Sequence, residues 1–204
     1  RQQALRCAGC GFACEPGFAF CPRCGAPRQP AASVAKERPD DADRRPVTVL
    51  FADLCGFTSL SERLDPEEVR SFQGVLFDSL GHAVARRGGF VAKYLGDAVL
   101  ALFGAPVAHE DDPDRALDTA LDMLQRAEAL SAEWSARLGQ PVSLHIAVHT
   151  GPVVAGSLGD GAGAAYDVTG DTVNTASRLL GAAPPGTVLV GASTRALVGD
   201  RFAF

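Results

Sequence analysis

The sequence predicts a chain in two segments: a small cysteine-rich N-terminal unit and a larger α+β domain whose helices pack on a sheet in the order βαββαβ. Three observations carry this. From Pro46 onward, short apolar runs alternate with longer helical stretches. Two Cys-x-x-Cys pairs are confined to residues 1–25. Between these segments, residues 26–45, "APRQPAASVAKERPDDADRR", mix prolines, alanines and charges without apolar periodicity, which is the composition of a linker.

The elements follow in order along residues 46–204. "VTVLFAD", 47–53, is a buried strand that ends on a carboxylate. A helix is predicted over 66–87. Strands over 90–95 and 97–103 flank Gly96 and Asp97, a tight hairpin between two apolar runs. A second long helix is predicted over 113–138, with Leu117, Leu121, Leu124 and Trp134 as core or interface packing. A strand over 142–149 completes the six-element core. Beyond it come a strand at 165–169, a helix at 171–181, a strand at 187–190 and a helix at 192–198. "SLGDGAGAAYD" is a glycine-rich loop ahead of the 165–169 strand.

A chain of 204 residues, 47% hydrophobic and 21% charged, can bury one sizeable core beside a small appendage. The net charge of -5 argues against a nucleic-acid backbone or an anionic membrane as main partner. A nucleotide remains compatible, since a metal supplies the missing positive charge. No apolar run approaches the roughly 20 residues that cross a bilayer, and the N-terminus lacks the apolar centre of a secretory signal. The sequence therefore predicts a soluble, cytoplasmic protein. It begins at Arg1 and ends at Phe204 within an apolar stretch, where Phe202 and Phe204 read as strand residues, so a fragment of a longer protein is expected.

Residues 7–25 read "CAGCGFACEPGFAFCPRCG". Cys7 and Cys10, then Cys21 and Cys24, form two pairs each followed by glycine, the pattern of a zinc ribbon with a closed four-thiolate shell around Zn2+. Such a site is structural, and the metal carries most of the stability of so short a unit. A redox pair or plain disulfides are the alternatives, and Cys14 reads as a small core residue.

In a βαββαβ sheet the first and third strands are antiparallel neighbours, so Asp53 and Asp97 meet at one edge. Two close carboxylates repel unless a proton or a cation lies between them, and hard oxygen ligands with open positions suit Mg2+ or Mn2+. The alternative for Asp53 alone is a turn or helix-capping residue. Gly56 permits close approach, so that the amides of Gly56, Phe57 and Thr58 can face a polyphosphate.

Four stretches, "FADLCGFTSLSE", "KYLGDAVLALFG", "HTGPVVAG" and "DVTGDTVNTASRL", resemble the catalytic domain of the class III nucleotidyl cyclases over residues 47 to about 190. The resemblance implies a ferredoxin-like core shared with polymerase palm domains and a head-to-tail homodimer with sites at its interface. Asp53 and Asp97 would hold two Mg2+ or Mn2+ ions. Asn174 and Arg178, four apart on one helix face, would orient the ribose and stabilise charge on the α-phosphate. Lys93 and Asp167 would read the adenine edge, which makes ATP the substrate and 3',5'-cyclic AMP and pyrophosphate the products. Read without the motif, Arg178 is a solvated helix charge and Lys93 an edge-strand lysine. A catalytically silent nucleotide-sensing domain and a guanylate cyclase are the alternative functions.

The same resemblance places a triphosphate-binding lysine in a terminal β segment that this chain does not reach, so the C-terminal strands are expected to be truncated. A zinc ribbon ahead of such a domain resembles bacterial multidomain regulators, in which an ATPase and helical-repeat region often follows the cyclase. His82, His109, His145 and His149 read as structural, and no role attaches to Pro152.

Overall fold

The structure is a computed structural model that describes residues 5–6, 13–14, 43–158 and 165–204, with side chains described over 44–156 and 168–204. The chain divides into two units, residues 1–41 and 42–204. In the first, β1 (Leu5–Arg6) pairs antiparallel with β2 (Ala13–Cys14). Cys7, Cys10, Cys21 and Cys24 lie outside the described residues, as do the side chain of Cys14 and the chain from 15 to 42.

The second unit is built on β3 (Asp43–Leu54), followed by helices α1 (Phe57–Arg63) and α2 (Pro66–Arg86). The hairpin β4 (Phe90–Leu95) and β5 (Ala98–Phe103) comes next, then α3 (Asp112–Leu138) and the long β6 (Leu144–Leu158). β7 (Ala165–Thr169), α4 (Asp171–Ala182), β8 (Val188–Val190) and α5 (Ala192–Val198) complete it. The strands lie in the order β4-β5-β3-β6-β7, with β8 parallel on the first half of β6. The pairing of β3 with β5 is antiparallel, as the βαββαβ reading requires.

Two apolar layers sandwich the sheet, because alternate residues of a strand face opposite ways. Leu50, Ala52 and Leu54 of β3 join Phe72, Leu76 and Leu80 of α2 and Met123, Leu130 and Trp134 of α3 in one cluster. Val47, Val49 and Phe51 face the other way and pack with Val153, Val168 and Ala176. The buried positions of α2, Val69, Phe72, Leu76, Leu80 and Ala83, recur every three or four residues, which turns one stripe to the sheet. Phe72 and Trp134 meet with ring centroids 5.4 Å apart. The hydroxyls of Thr48, Thr150 and Thr194, all buried, form a chain of 2.9 Å hydrogen bonds that ties β3, β6 and α5 together.

Four details differ from the sequence reading. β3 begins at Asp43, inside the stretch read as linker, because Asp43–Arg45 pair with Val153–Ala155 of the distant β6. β6 runs on to Leu158 through Gly151 and Pro152 rather than ending at 149. Pro46 stands opposite Pro152. Neither has an N–H, so the two can oppose each other only in a non-hydrogen-bonded pair, whose missing donors point away from the partner strand. There nothing is lost: β8 stops pairing at Val148 and β7 starts at Val154, while β5 stops at Thr48. Thirdly, α1 precedes α2, broken from it at Leu64 and Asp65 with Pro66 opening the second helix. Lastly, Phe202 and Phe204 are not strand residues. Phe202 packs part-buried on the α2–α3 layer, and Phe204 is exposed with the Arg195 guanidinium 5.2 Å from its ring centre. Leu121 is also largely exposed, unlike the buried Leu117 and Trp134. Among the described residues no helix is long and apolar enough to cross a membrane.

Candidate active site

The register that builds the sheet also gathers its acidic edge. Ala52 of β3 pairs with Val99 of β5, so Asp53, one residue further, arrives beside the turn that joins β4 to β5. That turn is Gly96–Asp97, closed by the Leu95–Ala98 pair, and Gly96 takes the left-handed conformation, φ 67°, that a two-residue turn demands. The structure thus brings Asp53 and Asp97 together. Asp97 records the proximity: burial and then the charge of Asp53 push its carboxyl up to about 6 from 3.8, against smaller opposing effects from its own backbone and from His145.

Across the other edge of β3, Asp53 pairs in register with His145 of β6. The His145 ring reaches it, with Nε2 3.0 Å from Asp53 Oδ2. The second carboxylate oxygen, Asp53 Oδ1, is buried with no hydrogen-bond partner. An ionised carboxylate only accepts, so a buried oxygen left without a donor asks for a cation or a proton. Among the described residues no group of three or more histidine, cysteine or acidic side chains is placed to hold a metal ion. Two carboxylates with open positions beside them fit a Mg2+ or Mn2+ ion that takes its remaining oxygens from water and phosphate.

After Asp53 the chain turns into α1, a helix that the sequence reading did not include. Gly56, φ 73°, is the N-cap of α1, and Leu60 donates its amide to Gly56 O. The amides of Phe57 and Thr58 therefore fall in the first turn, where helix N–H groups have no intrahelical acceptor. Phe57 leans on the core, and Thr58 is exposed.

Lys93 and Asp167 lie on β4 and β7, the two ends of the strand order. Their neighbours Ala92 and Val168 belong to one apolar cluster with Ala176 of α4. Lys93 is half-buried, just past an irregularity in the β4–β5 ladder, and the Asp167 backbone pairs with Gly156. The side chain of Asp167 lies outside the described ones.

Asn174 and Arg178 stand on the exposed side of α4, whose opposite side buries Thr172 and Ala176. Thr172 anchors the helix by donating to Pro152 O at 2.7 Å, an approach that Gly151 permits because a Cβ there would stand 2.6 Å from Thr172 Oγ1. That anchor is seven residues along β6 from His145, about 23 Å at the rise of a strand. Arg178 contacts its own helix, donating to Thr175 Oγ1 at 3.0 Å and Asp171 Oδ1 at 3.3 Å. One copy of the chain therefore shows no contact between this pair and the carboxylates. A cleft of about 520 Å3 near Pro152, lined by His149, Thr172 and Ser193 among others, contains none of the predicted site residues.

His145 is the neighbour that the sequence reading set aside as structural. Its signal was present in "LHIAVHTG": Leu144, Ile146 and Val148 fill one layer, which turns His145 to the face of Asp53.

The α+β domain thus carries paired carboxylates at the end of its first strand and the start of its third. The chain belongs to the adenylate and guanylate cyclase catalytic domain family, which residues 40–204 match. It is similar to the adenylate cyclase of Anabaena cylindrica, 37% identical over 144 residues, 69% of this chain and 28% of that protein. It is equally similar to adenylate cyclase 1 of Rhizobium meliloti (strain 1021), 37% identical over 138 residues, 68% of this chain and 21% of that protein. The chain thus spans about a quarter of the length of these relatives. Among solved structures, the guanylyl cyclase Cya2 matches with a TM-score of 0.74 at 36% identity, over 78% of this chain and 81% of that one. The adenylyl cyclase CyaB from P. aeruginosa matches with a TM-score of 0.74 at 29% identity, over 78% of this chain and 83% of that one.

Proposed function

We propose that this domain is an adenylate cyclase that converts ATP to 3',5'-cyclic AMP and pyrophosphate between two copies of the chain. The observation that carries the reading is the Asp53–Asp97 pair with its unpartnered buried oxygen. Asp53 and Asp97 hold the divalent cations. When bound, Mg2+ or Mn2+ lowers the pKa of the ribose 3'-hydroxyl and neutralises the departing pyrophosphate. The 3'-oxygen attacks the α-phosphorus, the bond to the β-phosphate bridging oxygen breaks, and the hydroxyl proton passes to solvent.

The remaining roles fall to side chains of the second copy. Asn174 orients the ribose, and the planar, permanently charged fork of Arg178 offsets charge on the α-phosphate. Lys93 donates to adenine N1 and Asp167 accepts from its N6 amino group; guanine reverses both and leaves buried groups unpaired, at roughly 1–3 kcal/mol each. In the copy that supplies Asp53, the main chain of Gly56, Phe57 and Thr58 presents amides to the phosphates. Exposure of Asn174 and Arg178 away from the carboxylates supports a site shared between copies. At the N-terminus, Cys7, Cys10, Cys21 and Cys24 hold a structural Zn2+, which one metal per chain in elemental analysis would support.

Competing ATP against GTP with Mg2+ or Mn2+ tests the substrate: cyclic AMP should dominate. Cyclic GMP formed in excess of cyclic AMP, or nucleotide binding without turnover, refutes the assignment. Mixing Asp53→Ala with Arg178→Ala chains tests the shared site, since one intact site per heterodimer should restore part of the activity; intact mixed dimers without recovery would refute it.

A further inference from the structure

The cyclase reading uses both carboxylates but assigns nothing to the imidazole that touches one of them. His145 sits on a backbone held from both sides: β3 pairs along one edge, while Gly186 donates to Leu144 O at 2.8 Å and Ile146 donates to Thr187 O at 3.0 Å along the other. Its ring position is therefore set by the sheet rather than by a loop. The side chains of His145 and Asp53 are 24% and 26% exposed, so the contact is neither a solvent-washed surface pair nor a sealed core pair.

Because the carboxylate accepts, Nε2 is the donor, and the bond to Oδ2 fixes the rotation of the Asp53 carboxylate. With Oδ2 held, Oδ1 is the oxygen left buried and unpaired. A ligand oxygen whose direction is fixed before the ion arrives loses less freedom on binding, which is how hydrogen-bonded neighbours of metal ligands raise affinity.

We infer that His145 is a positioning residue for the cation site: by holding Asp53 Oδ2 it aims Oδ1 at the divalent ion. The inference rests on the cyclase reading of Asp53. It is distinct from a packing role, because packing demands only bulk at position 145, whereas positioning demands an N–H at the reach of Nε2.

Two variants separate these demands. His145→Leu keeps bulk and removes the donor, and His145→Gln keeps an N–H donor on a side chain of similar reach. Mn2+ binding to the purified protein, followed by electron paramagnetic resonance with the metal alone, should weaken about tenfold in His145→Leu and by no more than about threefold in His145→Gln. In the cyclisation assay, the half-saturating Mn2+ concentration should rise by the same factors while kcat at saturating Mn2+ changes less. Unaltered or tighter Mn2+ binding by folded His145→Leu overturns the inference, as does equal weakening in both variants. If His145→Leu does not fold, His145→Gln decides alone, and tenfold weakening there overturns it. A parent chain that binds Mn2+ and makes cyclic product alongside an unaffected His145→Leu refutes only the role of His145. A parent chain that binds no Mn2+ refutes the cyclase reading and this inference together.

Discussion

Replacing Asp97 by asparagine should make the metal-free domain more stable while removing its activity. Folding brings Asp97 beside Asp53 at a partly buried edge, and its carboxyl rises to about 6 from 3.8. A group whose pKa is raised on folding holds its proton more tightly in the native state. Its favourable contribution is complete below the unfolded value and is lost as the pH climbs through the folded value. About two pH units correspond to about 3 kcal/mol at full weight, and screening at a site open to solvent brings this to about 1 kcal/mol. Asp97→Asn removes the ionisation and with it the penalty. For a domain of this size, about 1 kcal/mol moves Tm by roughly 2–4 °C. Thermal unfolding after chelation, compared at pH 8, 6 and 4, should show the variant ahead at pH 8 and level with the parent near pH 4. Added Mg2+ should stabilise the parent alone. A variant no more stable than the parent at pH 8, or a gain that ignores pH, would refute the claim that burial and the charge of Asp53 penalise the ionised Asp97.

Two further substitutions probe the frame. Phe72→Ala removes a fully buried ring that packs on Trp134 and should cost about 3–5 kcal/mol in urea unfolding; a loss under 1 kcal/mol would mean the two-helix layer is not the principal core. Asp112→Ala strips a buried carboxylate that accepts from the His109 amide at 2.7 Å and from its Nδ1 at 3.1 Å, and should cost about 2 kcal/mol by the same assay with cyclisation kinetics unchanged in the folded fraction.

The parts of this molecule legible in its sequence are those whose physics is local. An apolar run that ends at Asp53, and a glycine–aspartate turn between two apolar runs, announce themselves without partners, and the antiparallel neighbourhood of first and third strands then follows from the element order. Asn174 and Arg178 share one face of a helix because a four-residue spacing forces it. What was not legible depends on register. The extension of β3 back to Asp43 exists only because Val153–Ala155 lie opposite, and His145 meets Asp53 only through a pairing that spans 92 residues. The helix α1 escaped notice because its seven residues make less than two turns after a left-handed glycine. Phe202 and Phe204 were misread because aromatic residues favour strands in general, whereas the packing that claims Phe202 belongs to α2 and α3.

The opposed prolines 46 and 152 also bear on what the flank of β6 can accept. An unpaired stretch of strand can template pairing with another chain, and the flank of β6 between β8 and β7 is such a stretch, where Thr172 and Ser193 already donate to the carbonyls of Pro152 and Thr150. At that notch the ring of Pro152 offers an incoming chain no donor. Any contact made at that flank therefore rests on side chains rather than on main-chain pairing.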